Sequence, residues 1–223
     1  MSKGWWWIAV GAVVVAAWAA RGGDSPETAV PPPRATASDT PRPPAPKPSP
    51  KLTPSPADWS TSYDPASFAV QVRRSAGRAG IKPQLLMAIL YNESYKPHDP
   101  ELERSWQRIK PDAAFGIANM HRAAFNETKR GRSFAGRSWE ELPDNPELAV
   151  EAAAWHLHDL AARLPRRTRG TLSKDELLAL GYNTGSGNMR AFATGAKPGA
   201  QAQSYLDRLH QNWAKAANAV QVP

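Results

Sequence analysis

The chain has 223 residues, 41% of them hydrophobic, which suffices for one globular domain of ordinary size and not for two large ones. It contains no cysteine, so a disulfide scaffold, a thiolate metal site, a cysteine nucleophile and a lipid-modified N-terminal cysteine are all excluded. The formal charge is +8, of which +6 falls on residues 59–223; this favours an anionic partner, but the basic residues come in scattered pairs such as Arg73-Arg74 and Arg166-Arg167, without the aromatic-rich strand or recognition helix of a nucleic-acid binder.

Residues 1–23 read as a signal peptide or membrane anchor. Lys3 and the free amine precede an apolar run over 5–20, which as a helix spans about 24 Å against a hydrocarbon core of roughly 30 Å. Ala17 and Ala19 make a small-x-small cleavage pattern, whereas Trp5, Trp6, Trp7 and Trp18 sit where aromatic belts sit in a retained helix, so both fates stay open. Residues 24–58 hold twelve of the 22 prolines and almost no large apolar side chain. Such a segment cannot offset its ordering entropy by burial, and a disordered, Pro-rich stalk extending about 3.1 Å per residue is expected. The folded part is then 59–223.

That part is helical in pattern, with no repeat and no run of alternating strands. Asp64-Pro65 reads as a cap and first helical residue, Phe68, Val72 and Ala76 keep helical spacing, and Gly80 is placed to stop the helix. A second helix is expected over 83–95, ahead of Pro97. The stretch from Glu93 to Gly116, with Pro97, Asp99, Glu101, Glu103 and Trp106, reads as a long polar loop. Asn145-Pro146 opens a further helix with Leu148, Ala152, Trp155 and Leu160 on one side. Ser173 to Glu176 is a capping box ahead of Leu177, Leu178 and Leu180. The last helix carries Tyr205, Leu209 and Trp213 at intervals of four. The expectation is a mostly α domain with long loops.

Glu93 is the residue with the most chemical content. It follows Leu85 and Ile89 at intervals of four, which places a carboxylate on the stripe of core leucines. Desolvation there disfavours the ionised form, and the negative end of the helix dipole acts in the same direction. A carboxylic acid kept protonated near neutral pH is what a general acid needs to hand a proton to a leaving oxygen, as in glycoside cleavage.

Other signals have plainer readings. His156 and His158 are two apart on a helix, point to different faces and cannot chelate one metal; no zinc-ligand spacing appears. No hydrolase motif gives Ser94 a histidine and an acid. The glycines around Ser186-Gly187 lack the lysine and spacing of a phosphate loop. Arg163, Arg166, Arg167 and Arg169 fit a solvated loop at least as well as a contact with polyanions or peptide carboxylates. Neither a metal nor a cofactor is expected.

Four segments then occur in a fixed order: Leu-Tyr-Asn-Glu-Ser (90–94), Ala-Phe-Gly-Ile-Ala-Asn-Met (114–120), Asn145-Pro146-Glu147 with its helix, and Gly-Tyr-Asn-Thr-Gly (181–185). Together, from about Ile81 to Leu209, they resemble the soluble lytic transglycosylase family, lysozyme-like enzymes that cut the glycan of peptidoglycan. The resemblance implies that Glu93 is the only acid and base of the reaction. It implies that Tyr182 lies beside the carboxyl and that Asn183 faces the sugar. Ser94, Gly116, Ile117, Asn119 and Met120 match the family's substrate-binding motifs, with Ala118 where methionine is usual and Asn119, a shorter amide, where glutamine is usual. It also implies that the substrate's acetamido group supports the cationic sugar and that Glu93 then deprotonates the muramic C6 hydroxyl, forming a 1,6-anhydro ring. Asp112, Glu101 and Glu103 lie in a polar loop and read as solvated charges, although one of them could serve a hydrolytic enzyme. The sequence thus points to an exported enzyme acting on glycan strands in the bacterial cell envelope, held at the membrane or secreted. A hydrolytic muramidase and a non-catalytic wall-binding module stay open beside it.

Overall fold

The computed structural model describes residues 63–95 and 98–221. The apolar run over 5–20 and the Pro-rich segment over 24–58 lie outside the described residues; among those described, no helix is long and apolar enough to cross a membrane.

The domain is mostly helical. Asp64 caps a short 3-10 turn, Pro65–Phe68, by accepting from the Ala66 amide through its side chain. The chain then tightens into α1 (Ala69–Ala79), which ends at Gly80 with φ +66°, its amide closing back on the last turn. The predicted single helix from Pro65 to Gly80 is therefore a 3-10 turn running into an α-helix.

Helix α2 (Pro83–Glu93) is the centre of the molecule. Leu85 to Glu93 are all buried, so this helix is enclosed on every side and has no solvent face. It stops two residues earlier than expected. Pro100–Ile109 then form a helix, α3, within the stretch read as a loop. Asp99 caps it, accepting from the amides of Glu101 and Leu102, and Pro100 occupies its first turn.

Two very short strands, β1 (Ala114–Phe115) and β2 (Met120–His121), pair antiparallel in the register Ala114 opposite His121 and Phe115 opposite Met120. The four residues between them, Gly116 to Asn119, form the hairpin loop. Helix α4 (Arg122–Thr128) follows, then a 3-10 turn at Trp139–Glu141 closed by a Ser138/Glu141 capping box.

Helices α5 (Pro146–Ala162), α6 (Lys174–Thr184), α7 (Ser186–Ala193) and α8 (Ala200–Val220) complete the domain. Asn145 caps α5 with Pro146 in its first turn, and Ser173 and Glu176 form the expected capping box on α6. Helix α2 is sandwiched mainly by α8 and α1, while α5 packs on α1, α4 and α6. The core runs through Leu86, Met87, Leu90, Leu157, Leu160 and Leu177, each worth about 1.5–3 kcal/mol of burial. Helices α6 and α7 approach closely at Gly181, where a Cβ would stand 2.7 Å from Met189 Sδ.

Candidate active site

The C-terminus of α2 delivers Glu93 into the interior at 7% exposure. Its carboxyl is received from two directions. The Tyr205 hydroxyl on α8 donates to Oε1 at 2.9 Å. Asn119 Nδ2, at the end of the hairpin loop, donates to Oε2 at 3.1 Å and to the Glu93 main-chain oxygen at 3.0 Å. Desolvation favours the neutral acid, whereas both donors favour the carboxylate.

The loop that carries Asn119 is fastened at each residue. The Asn119 amide donates to the Gly116 oxygen at 2.8 Å, closing the turn. The Tyr63 hydroxyl donates to the Ile117 oxygen at 2.9 Å, and the Tyr182 hydroxyl to the Ala118 oxygen at 2.6 Å. Gly116 sits at φ +71° with Leu142 against it: a Cβ there would lie 2.9 Å from the Leu142 oxygen and 3.0 Å from its Cβ. Only glycine meets both conditions. Asn119 takes φ +44°, a left-handed conformation that asparagine adopts more readily than most residues. The shorter amide at this position thus does reach the acid.

Burial pushes the hydroxyls of Tyr63, Tyr182 and Tyr205 above the usual phenolic range, with the charge of Glu93 adding to the effect on each. All three therefore remain protonated donors throughout the physiological range. Asn92, beside Glu93, ties α2 to α8: its Nδ2 donates to the Tyr205 main-chain oxygen at 3.0 Å, and its Oδ1 accepts from Asn212 at 2.9 Å.

Of the residues predicted from sequence, Glu93, Asn119 and Tyr182 come together here with the backbone of Gly116 and Ile117. Ser94 caps α2, and its hydroxyl donates back to the Tyr91 oxygen at 2.8 Å. Met120 is buried in β2, its carbonyl accepting from Trp139 Nε1 at 2.8 Å. Asn183 is exposed on α6. His156 and His158 diverge, one to Thr128 and the other to the Ala79 oxygen. Among the described residues, no group of three or more His, Cys, Asp or Glu could hold a metal.

Sequence reasoning missed three side chains. Tyr205 read as one rung of a packing stripe with Leu209 and Trp213. Tyr63 carried no signal. Glu103 read as a solvated charge, but its side chain is only 13% exposed and is turned inward.

Fold and site together define a mostly helical, lysozyme-like domain built around the buried Glu93 carboxyl and its hairpin. Residues 71–206 match the model of the Transglycosylase SLT domain, over half of the chain, and the protein belongs to that family. Neither the curated proteins nor the solved structures gave a match. The family supports, in general terms, glycan cleavage of the lytic-transglycosylase type, a peptidoglycan substrate and action in the cell envelope. Tyr63 lies ahead of the matched segment.

Proposed function

We propose that the chain is a peptidoglycan lytic transglycosylase with Glu93 as its general acid and base. Glu93 gives its proton to the oxygen joining N-acetylmuramic acid C1 to N-acetylglucosamine as that C1–O bond breaks. The substrate's acetamido group supports the cationic sugar. The carboxylate then takes the proton of the muramic C6 hydroxyl while its oxygen bonds to C1, closing the 1,6-anhydro ring and restoring the acid.

The observation that carries this reading is the surroundings of Glu93. A buried carboxyl is suited to hold a proton, and the two donors from Tyr205 and Asn119 suit the carboxylate left after it is given away. One group can then serve both halves of the cycle. Among the neighbouring acids, Glu101 and Asp112 are exposed, and Glu103 has both oxygens engaged elsewhere, which favours ring closure over attack by water. Asn183, exposed one residue after Tyr182, is assigned to the sugar, with Ser94 and Met120 supporting the site's walls.

The test is mass spectrometry of purified peptidoglycan digested by the protein. Products with 1,6-anhydromuramic ends support the reading. Reducing ends alone assign a hydrolytic muramidase instead, and binding without cleavage assigns a wall-binding module.

In the same reading, the apolar run over 5–20 holds the protein at the membrane and the Pro-rich segment gives the domain reach into the wall. N-terminal sequencing tests this: a mature chain beginning at Ala20 and found in the medium contradicts the tether and leaves the enzymatic reading untouched.

A further inference from the structure

Helix α3 is packed with its polar side inward. Leu102, Trp106 and Ile109 stand 47%, 49% and 73% exposed, while Glu103 and Gln107 face the domain. Exposing a tryptophan while enclosing a carboxylate is unfavourable unless the enclosed groups make specific bonds. They do: Gln107 Nε2 donates to the Trp139 oxygen at 3.4 Å, and Glu103 divides its two oxygens between two partners. Oε2 accepts from the Gly116 amide at 2.8 Å, and Oε1 accepts from His98 Nδ1 at 2.6 Å.

We propose that Glu103 is a positioning residue for the hairpin that presents Asn119 to Glu93, and that His98 serves to aim it. The inference rests on the reading of Glu93 given above. The path is short. Glu103 holds the first residue of the loop by its amide, the Gly116 oxygen accepts from the Asn119 amide, and Asn119 Nδ2 meets the Glu93 carboxyl. Releasing Gly116 therefore loosens a side chain that links the hairpin to the acid.

His98 has little other purpose in the packing. Its side chain is 8% exposed, its Nε2 is buried without a hydrogen-bond partner among the described residues, and its ring lies edge-on to Tyr63 with centroids 4.8 Å apart. An apolar side chain would fill that place without leaving a buried nitrogen unsatisfied. The bond to Glu103 is what an imidazole supplies and a leucine does not. Tyr63 in turn holds the next residue of the loop, Ile117, so the clasp grips two successive positions.

The experiment compares the full chain with Glu103→Ala, Glu103→Gln and His98→Leu, reading kcat and KM on soluble glycan fragments and amide exchange at Gly116 and Asn119 by NMR. In Glu103→Ala both amides should exchange faster, and kcat should fall about 10- to 100-fold with KM little changed, the scale of a small misplacement. Glu103→Gln should recover most of the rate. Its oxygen can accept from Gly116, and its amide can donate to His98 Nδ1 once the imidazole proton moves to Nε2. An unchanged kcat in Glu103→Ala overturns the proposal, as does an equal loss in the Ala and Gln variants, which would make Glu103 a proton-transfer group. If Glu103→Ala does not fold, His98→Leu decides: a smaller fall in kcat together with faster Gly116 exchange supports the role, and wild-type values for both overturn it. A wild-type chain that cleaves no glycan overturns the underlying reading of Glu93, an outcome distinct from an active wild type that is indifferent to Glu103.

Discussion

The Tyr205 hydroxyl donates to Oε1 of Glu93 across 2.9 Å, from a residue 112 positions further along the chain. This bond joins α8 to the end of α2 at the carboxyl proposed above as the acid and base. It has a direct consequence. Tyr205→Phe keeps the buried ring and removes a single donor to the developing carboxylate, so the fold should persist while kcat on peptidoglycan fragments falls about 10- to 100-fold, the equivalent of one hydrogen bond to a charged group. Thermal melting and steady-state kinetics on the same sample check both halves.

Gly116 and Gly80 share a left-handed φ, +71° and +66°, but differ in their surroundings. A Cβ at Gly80 meets nothing within 4 Å, whereas at Gly116 it would strike Leu142. Gly80→Ala should therefore cost about 1–2 kcal/mol from backbone conformation alone. Gly116→Ala should cost more, by about 1–3 kcal/mol of overpacking, and should also impair activity because Asn119 closes the same turn. Urea titration of the two variants separates the two contributions.

His156 gives the domain an acid-sensitive element. Burial holds its pKa down to about 4, against an ordinary value of 6.5. Between those two values the unfolded chain binds a proton that the folded one refuses, so stability present above pH 6.5 is lost as the pH falls towards 4. The full loss from this group is roughly 3 kcal/mol. Followed from pH 7 to pH 4, the melting temperature of the wild type should fall relative to that of His156→Gln, which has no group titrating at this position; parallel curves would remove His156 from the account.

Much of the fold was legible because its signals are local. Asp64-Pro65, Gly80, Asn145-Pro146 and the Ser173/Glu176 box each act within one turn of helix, and each does in the structure what the residue types suggest. Glu93 was legible for a related reason, being a charge placed among core leucines. Helix α3 was missed even though Asp99-Pro100 is a sound start, because the preceding proline and the density of charge suggested a loop. Its periodicity would also have misled, since Leu102, Trp106 and Ile109 form the outward face. The inward turn of Glu103 depends on Gly116 and His98, and the role of Tyr205 depends on a partner on another helix. Such pairings are fixed by tertiary packing, and no spacing within a helix announces them.

The account stands most directly on Glu93, and one comparison tests it: digestion of purified peptidoglycan by the wild type and by Glu93→Gln, with both shown to be folded. Glutamine retains the shape of the side chain but can neither give nor take the proton, so cleavage should fall by about 10²- to 10⁴-fold. A Glu93→Gln protein that digests the wall at the wild-type rate would contradict the account.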